Sequence, residues 1–182
     1  LDGTVNFAHN IPIFSVSIAC EKDGEILCGA IYQPLLNEMF IAGKDSGAYL
    51  NGKLIKVSDN NNLDSAILVT GFPYNVDENP FNCLGTFTDM VKKGIPVRRL
   101  GSAALDLVYV AAGRFDGFWE AELKPWDVAA GTIILTEAGG KLSDYDGDEY
   151  SIYGKTILAT NGKIHDSALE VINRSQNESK SI

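Results

Sequence analysis

The chain has 182 residues (19.7 kDa), 45% of them hydrophobic and 21% charged, a balance that excludes a wholly disordered polypeptide. Its 15 Lys and Arg against 24 Asp and Glu give a formal net charge of −9. No Lys/Arg run accompanies that charge, so a nucleic-acid footprint is not indicated, and the longest strongly apolar helical stretch, Val128 to Leu135, falls far short of a membrane span.

Taken in chain order, Ile13 to Cys20 alternates larger apolar and small residues, as a buried strand does. Asp23-Gly24 reads as a turn, Ile26 to Tyr32 as the returning strand, and Pro34 as its end, because proline cannot donate to a sheet ladder. Glu38 to Ala42 is a short strand. Ala48-Tyr49-Leu50 and Lys53-Leu54-Ile55 then flank Asn51-Gly52, whose residues accept the two positive φ angles of a type I′ hairpin turn. An antiparallel meander is the prediction for this half.

The polar run Asn60-Asn61-Asn62 marks a boundary, which divides the chain into units 1–62 and 63–174 with a disordered tail over 175–182. In the second unit Ser65 to Thr70 predicts a strand broken by Gly71-Phe72-Pro73, and Pro80 to Lys93 a helix stopped by Gly94. Val97 to Leu100 is a short strand. Ser102 is placed to cap a helix through Ala112 that is apolar on nearly every side, hence buried between layers. A strand over Phe115 to Ala121, a helix over Pro125 to Ala138 closed by Gly139-Gly140, a strand over Thr156 to Thr160 and a helix over His165 to Arg174 complete a layered α/β protein.

The three cysteines, Cys20, Cys28 and Cys83, have no metal-ligand spacing. A cross-strand Cys20–Cys28 disulfide is geometrically conceivable, but buried free thiols in a reducing cytoplasm are the expectation. No signal peptide is read, so the cytoplasm is also the default location.

Two short segments could carry chemistry. Leu1-Asp2-Gly3-Thr4 joins a carboxylate, a tight turn and a hydroxyl; alone it is also an ordinary turn. In Pro125-Trp126-Asp127, the acid sits in the first turn of a helix, where capping is the plainer role. Glu120 precedes Asp127 by seven residues, so both can approach one cleft, and Gly101-Ser102-Ala103 opens a helix whose free N–H groups could face a ligand. Clustered acids repel one another unless a cation neutralises them.

Leu1-Asp2-Gly3-Thr4, Gly101-Ser102-Ala103-Ala104, Glu120, Trp126-Asp127-Val128-Ala129-Ala130-Gly131 and Glu137-Ala138-Gly139-Gly140 together resemble the inositol monophosphatase family, in the right order from Leu1 to about Arg174. The resemblance implies a layered αβαβα sandwich and Mg²⁺-dependent hydrolysis of phosphate monoesters, with Mn²⁺ as a substitute. By that resemblance Asp2 and Asp127 would be carboxylate ligands of one ion and the Leu1 carbonyl a ligand of a neighbouring one, while the Thr4 hydroxyl would orient the attacking water. Gly3 and Thr4 N–H groups would hold phosphate oxygens. Glu120, with the backbone of Gly101, Ser102 and Ala103, would grip cyclitol or sugar hydroxyls. Arg99 and Lys124 are candidate specificity residues, and a homodimer is implied for the full-length protein.

The family's aspartate motif reads Asp-Pro-(Leu/Ile/Val)-Asp-Gly-Thr, and this sequence starts at its third position. The expectation is therefore a C-terminal portion of a larger enzyme, with little turnover by itself. Inositol 1-phosphate is the expected substrate of the parent. Fructose 1,6-bisphosphate, 3′-phosphoadenosine 5′-phosphate and a non-catalytic interaction module are the alternatives. Asp106, midway along an apolar helix, is expected to pair with a polar neighbour.

Overall fold

The structure, a computed structural model, describes residues 1–179. A short helix α1 (Thr4–Ala8) precedes five strands, β1 (Val16–Lys22), β2 (Glu25–Gln33), β3 (Glu38–Gly43), β4 (Ala48–Leu50) and β5 (Lys53–Leu54). They pair antiparallel in sequence order. Both predicted hairpin turns form: Asp23 and Gly24 have φ of 54° and 85°, and Asn51 and Gly52 have φ of 48° and 76°, the paired positive angles that match the twist of the flanking strands.

The remaining elements are β6 (Leu68–Thr70), α2 (Cys83–Lys92), β7 (Val97–Arg98), α3 (Ala103–Ala111), β8 (Gly117–Ala121), α4 (Pro125–Glu137), β9 (Lys141–Ser143), β10 (Thr156–Thr160) and α5 (His165–Ser179). The second sheet has the order β7-β6-β8-β10-β9. Strand β6 runs parallel to β7 and β8, and β10 runs antiparallel to β8 and β9.

Two apolar clusters give the layering. One joins Ile31 and Phe40 of the first sheet, Leu105 and Val108 of α3, Ile134 of α4, and Phe118 and Ala159 of the second sheet. The other joins Leu68, Trp119 and Leu158 of the second sheet to Met90 of α2 and to Ala168, Val171 and Ile172 of α5. The order is sheet, helices α3 and α4, sheet, helices α2 and α5. These are the βαβα layers of the expected sandwich.

Small residues set the spacing at the first interface. A Cβ on Gly29 would lie 2.8 Å from Ala130 Cα, and one on Gly131 would lie 2.6 Å from Leu107 Cδ1. Strand β2, α4 and α3 therefore meet at backbone distance, as small residues permit.

Several expectations are corrected. Strand β1 is mostly exposed, because it lies at the edge of a sheet with one uncovered face. Cys20 and Cys28, directly opposed on β1 and β2, are accordingly exposed free thiols, and of the three cysteines only Cys83 is buried. The helix expected from Pro80 begins at Cys83. Short 3-10 turns precede it, and Asn79, Phe81 and Asn82 there adopt left-handed backbone angles. The tail expected from Ser175 is the continuation of α5 through Ser179, while residues 180–182 of that expectation lie outside the described residues. Helix α1 and strand β9 were not anticipated. Among the described residues no helix is long and apolar enough to cross a membrane.

Candidate active site

Three turns of chain converge where α1, α3 and α4 begin. Asp2 is tied to Ser15 by a two-way backbone bridge, its N–H donating to Ser15 O at 2.8 Å and its carbonyl oxygen accepting from Ser15 N at 2.9 Å. Gly3 follows with φ +81°, and a Cβ there would lie 2.8 Å from Ile13 O, so only glycine lets the chain turn at that point. Thr4 then starts α1 on the exposed side.

The predicted cap is present. Ser102 precedes α3, and its Oγ accepts from Leu105 N at 3.4 Å. The same Oγ donates to Asp2 Oδ2 at 2.5 Å, and Ala104 N donates to that oxygen at 3.0 Å. The free N–H groups of the α3 start thus hold a carboxylate belonging to the protein. The bond from the Ser102 hydroxyl to Asp2 is additional to the sequence expectation, which assigned that side chain to the cap and only the Ser102 backbone to substrate.

Asp127 lies in the first turn of α4. Its Oδ2 accepts from Lys124 N at 2.9 Å, and its own N–H donates to Lys124 O at 2.9 Å. Burial raises its pKa, the Lys124 N–H and charge lower it, and the Asp2 carboxylate raises it. Glu120, on β8, is 8% exposed. Burial first, then the Asp2 charge, push its pKa up to about 8, with Asp127 adding to the rise and Arg99 opposing it. The chain therefore brings Asp2, Glu120 and Asp127 within electrostatic reach of one another, beside Leu1, Gly3, Thr4 and the Gly101-Ser102-Ala103 turn.

Arg99 is not a bare surface charge: its guanidinium lies 4.2 Å from the centroid of the Phe72 ring, which packs edge-on against Phe87. Lys124 is exposed at the start of α4. The polar partner expected for Asp106 is missing on one side. It is 1% exposed and its Oδ1 has no hydrogen-bond partner, so burial, then Glu120 and Asp2, raise its pKa well above the usual range.

Two contributors escaped the sequence reading. Asn6 donates from Nδ2 to Ile13 O and to Leu100 O, both at 2.8 Å, and so ties α1 to the turn before α3. No local pattern announces such a long-range clamp. Gly71 abuts Glu120, since a Cβ there would lie 2.3 Å from both carboxylate oxygens. The Gly-Phe-Pro break after a strand was a usable signal of close approach.

A hard dication fits the chemistry of this donor set. Both bonds to Asp2 fall on Oδ2 and the bond to Asp127 falls on its Oδ2, which leaves the Oδ1 of each as the natural donor. Among the described residues no group of three or more His, Cys, Asp or Glu could hold a metal ion.

Known proteins resemble this chain in sequence and in fold. A sequence profile described as "Inositol monophosphatase family" matches residues 1–181. A solved structure of an inositol monophosphatase from Anabaena (Nostoc) superposes with a TM-score of 0.91 at 46% identity, covering 95% of this chain and 69% of that one. The fructose-1,6-bisphosphatase/inositol-1-monophosphatase of Thermotoga maritima is 41% identical over 174 residues, 95% of this chain and 65% of the relative. A Pseudomonas aeruginosa protein named Nus factor SuhB is 43% identical over 174 residues, 94% of this chain and 64% of the relative. The chain thus spans about two thirds of the length of such relatives, 65% in the Thermotoga case.

Proposed function

Because this chain belongs to the inositol monophosphatase family, we propose that the protein hydrolyses phosphate monoesters with Mg²⁺, inositol 1-phosphate first among them. The observation that carries the reading is the placement of Asp2. Its Oδ2 is held by Ser102 and the start of α3, and its charge raises the pKa of Glu120 and Asp127. Acids kept this close in a partly buried site are an arrangement that a dication relieves.

Asp2 and Asp127 would hold one ion through their Oδ1 atoms and the Leu1 carbonyl a neighbouring one, with Mn²⁺ an acceptable substitute. When bound, Mg²⁺ supplies charge neutralisation on phosphoryl oxygens and acidification of water. The chain's own groups then bind and orient. The Thr4 hydroxyl would align an attacking water, and the N–H groups of Gly3 and Thr4 would donate to phosphate oxygens. Glu120 is placed to accept from a substrate hydroxyl beside Gly101 and Ala103. The Ser102 backbone would join them, while its hydroxyl, bonded to Asp2, makes it a positioning group as well.

Phosphate release from inositol 1-phosphate by the full-length protein in Mg²⁺ tests the reading, with Asp127→Asn expected to lose on the order of a hundredfold or more in rate. No release across a panel of cyclitol and sugar phosphates would refute it. The relative named a Nus factor favours a second reading, a non-catalytic interaction module that keeps the fold. Mn²⁺ titration bears on the choice: equal Mn²⁺ binding by wild type and Asp127→Asn would count against the metal site that the phosphatase reading requires.

A further inference from the structure

The first sheet carries a pair of thiols that phosphate hydrolysis does not use. Along the β1–β2 ladder Val16 pairs with Tyr32, Ile18 with Ala30 and Cys20 with Cys28. The residues between them look the other way: Gly29 sits against Ala130 of α4, and Ala19 is its partner on β1. Alternation therefore sends the side chains of Cys20 and Cys28 together onto the outer face, where both are exposed and free.

Directly opposed residues of an antiparallel pair have Cα atoms about 4.5 or 5.5 Å apart, and a disulfide spans Cα separations of about 4.4–6.8 Å. Cys20 and Cys28 thus stand within bridging range without movement of either strand. The ladder shifts register at the next step, between Cys20 and Glu21, and such an irregularity gives the hairpin more local twist than a regular ladder has. Cys83 does not compete: it is 3% exposed and lies on α2, beyond the second sheet. Strand β1 is also the edge of its sheet, and its first residue follows Ser15, whose backbone bridges Asp2. Edge strands are the part of a sheet with fewest bonds to hold them.

We propose that Cys20 and Cys28 are a redox modification site, a dithiol that a small disulfide such as glutathione disulfide converts to a cross-strand bridge, stapling the edge strand to β2. The thiolate of one cysteine attacks glutathione disulfide and expels one glutathione thiolate. The opposed thiolate then attacks the mixed disulfide and expels the second. The two cysteine protons pass to the departing thiolates, so each bridge formed reduces one glutathione disulfide to two glutathione molecules. Neither the bridge nor its test depends on the phosphatase reading.

Full-length protein incubated with glutathione disulfide, then alkylated in denaturant and digested, tests the site. Trypsin cuts after Lys22, between the two cysteines, so the bridge is expected as two joined peptides about 2 Da lighter than their sum, with Cys83 alkylated. Phenylarsine oxide, whose arsenic takes two thiols at once with loss of water, should bind the reduced protein at least about tenfold more tightly than Cys20→Ser or Cys28→Ser. Oxidised wild type should unfold at a higher urea midpoint than the reduced protein, a shift absent from Cys28→Ser treated alike. Separate glutathione adducts on the two cysteines, a bridge to Cys83, thiols left unreacted, or a bridge that leaves the midpoint unmoved would each overturn the proposal.

Discussion

The two sheets are built from similarly apolar strands and end in different surroundings. In the second sheet every residue of β8 and β10 is buried, because α3 and α4 cover one face and α2 and α5 the other. In the first sheet Gly29, Ile31 and Gln33 of β2 are buried toward α4, while Ile18 of β1 is 65% exposed and Met39 and Ile41 of β3 are exposed too. The strand side chains alternate across the sheet, so one face packs and the other does not. A carboxylate placed at the doubly covered sheet therefore loses its water. One at the start of α4, such as Asp127, is only partly buried.

The largest effect that would break this comparison is on pH dependence. The Glu120 pKa is raised to about 8 from 4.5, so the folded protein holds that proton more tightly than the unfolded chain does. Stability in divalent-free buffer should fall as pH rises from about 4.5 to about 8, by as much as about 5 kcal/mol, with little further loss from this group above that range. Glu120→Gln should flatten that slope in denaturant titrations taken at several pH values. An unchanged slope would mean that Glu120 is not desolvated by its sheet. His165 gives the opposite sign: burial lowers its pKa to about 4, so its contribution is lost as pH falls from about 6.5 through 4.

Truncations compare the sheets directly. Phe118→Ala on β8 empties a site that is 0% exposed and should cost about 3–5 kcal/mol by thermal or urea unfolding. Ile18→Ala on β1 removes as plainly hydrophobic a residue, yet should cost only about 0.5 kcal/mol. Similar costs would show that the outer face of the first sheet is covered in solution.

What could be read in advance divides along the same line. Local chemistry was legible: the Asn51-Gly52 turn, the Ser102 cap, the Gly139-Gly140 helix stop and the buried character of α3 each follow from a few adjacent residues. The Asp-Gly-Thr and Trp-Asp segments were legible as motifs, and the fold brings their carboxylates into electrostatic contact. Coverage was not legible. Alternation over Ile13 to Cys20 reports that a strand has two unlike faces and says nothing about which layers lie against them. Nor could spacing reveal that the Ser102 hydroxyl would turn to Asp2, a contact across 100 residues of chain. The left-handed run at Asn79, Phe81 and Asn82 likewise delayed a helix whose start was read from Pro80, because asparagines tolerate angles that end one turn and begin another.

The smallest expected effect probes the uncovered face most directly. Cys20 and Cys28 stand opposite one another on β1 and β2 and are exposed, whereas Cys83 is 3% exposed and burial raises its thiol pKa. Thiolates are the reactive species, so a water-soluble aromatic disulfide reagent should modify Cys20 and Cys28 promptly and Cys83 only after denaturant is added. Cys20→Ser should change stability by no more than about 0.5 kcal/mol, since no packed layer is lost with the sulfur. Protection of Cys20 and Cys28 to the level of Cys83 would break the contrast between the sheets. It would place a further layer over Val16, Ile18, Met39 and Ile41, and dependence of that protection on protein concentration would identify the layer as a second copy of the chain.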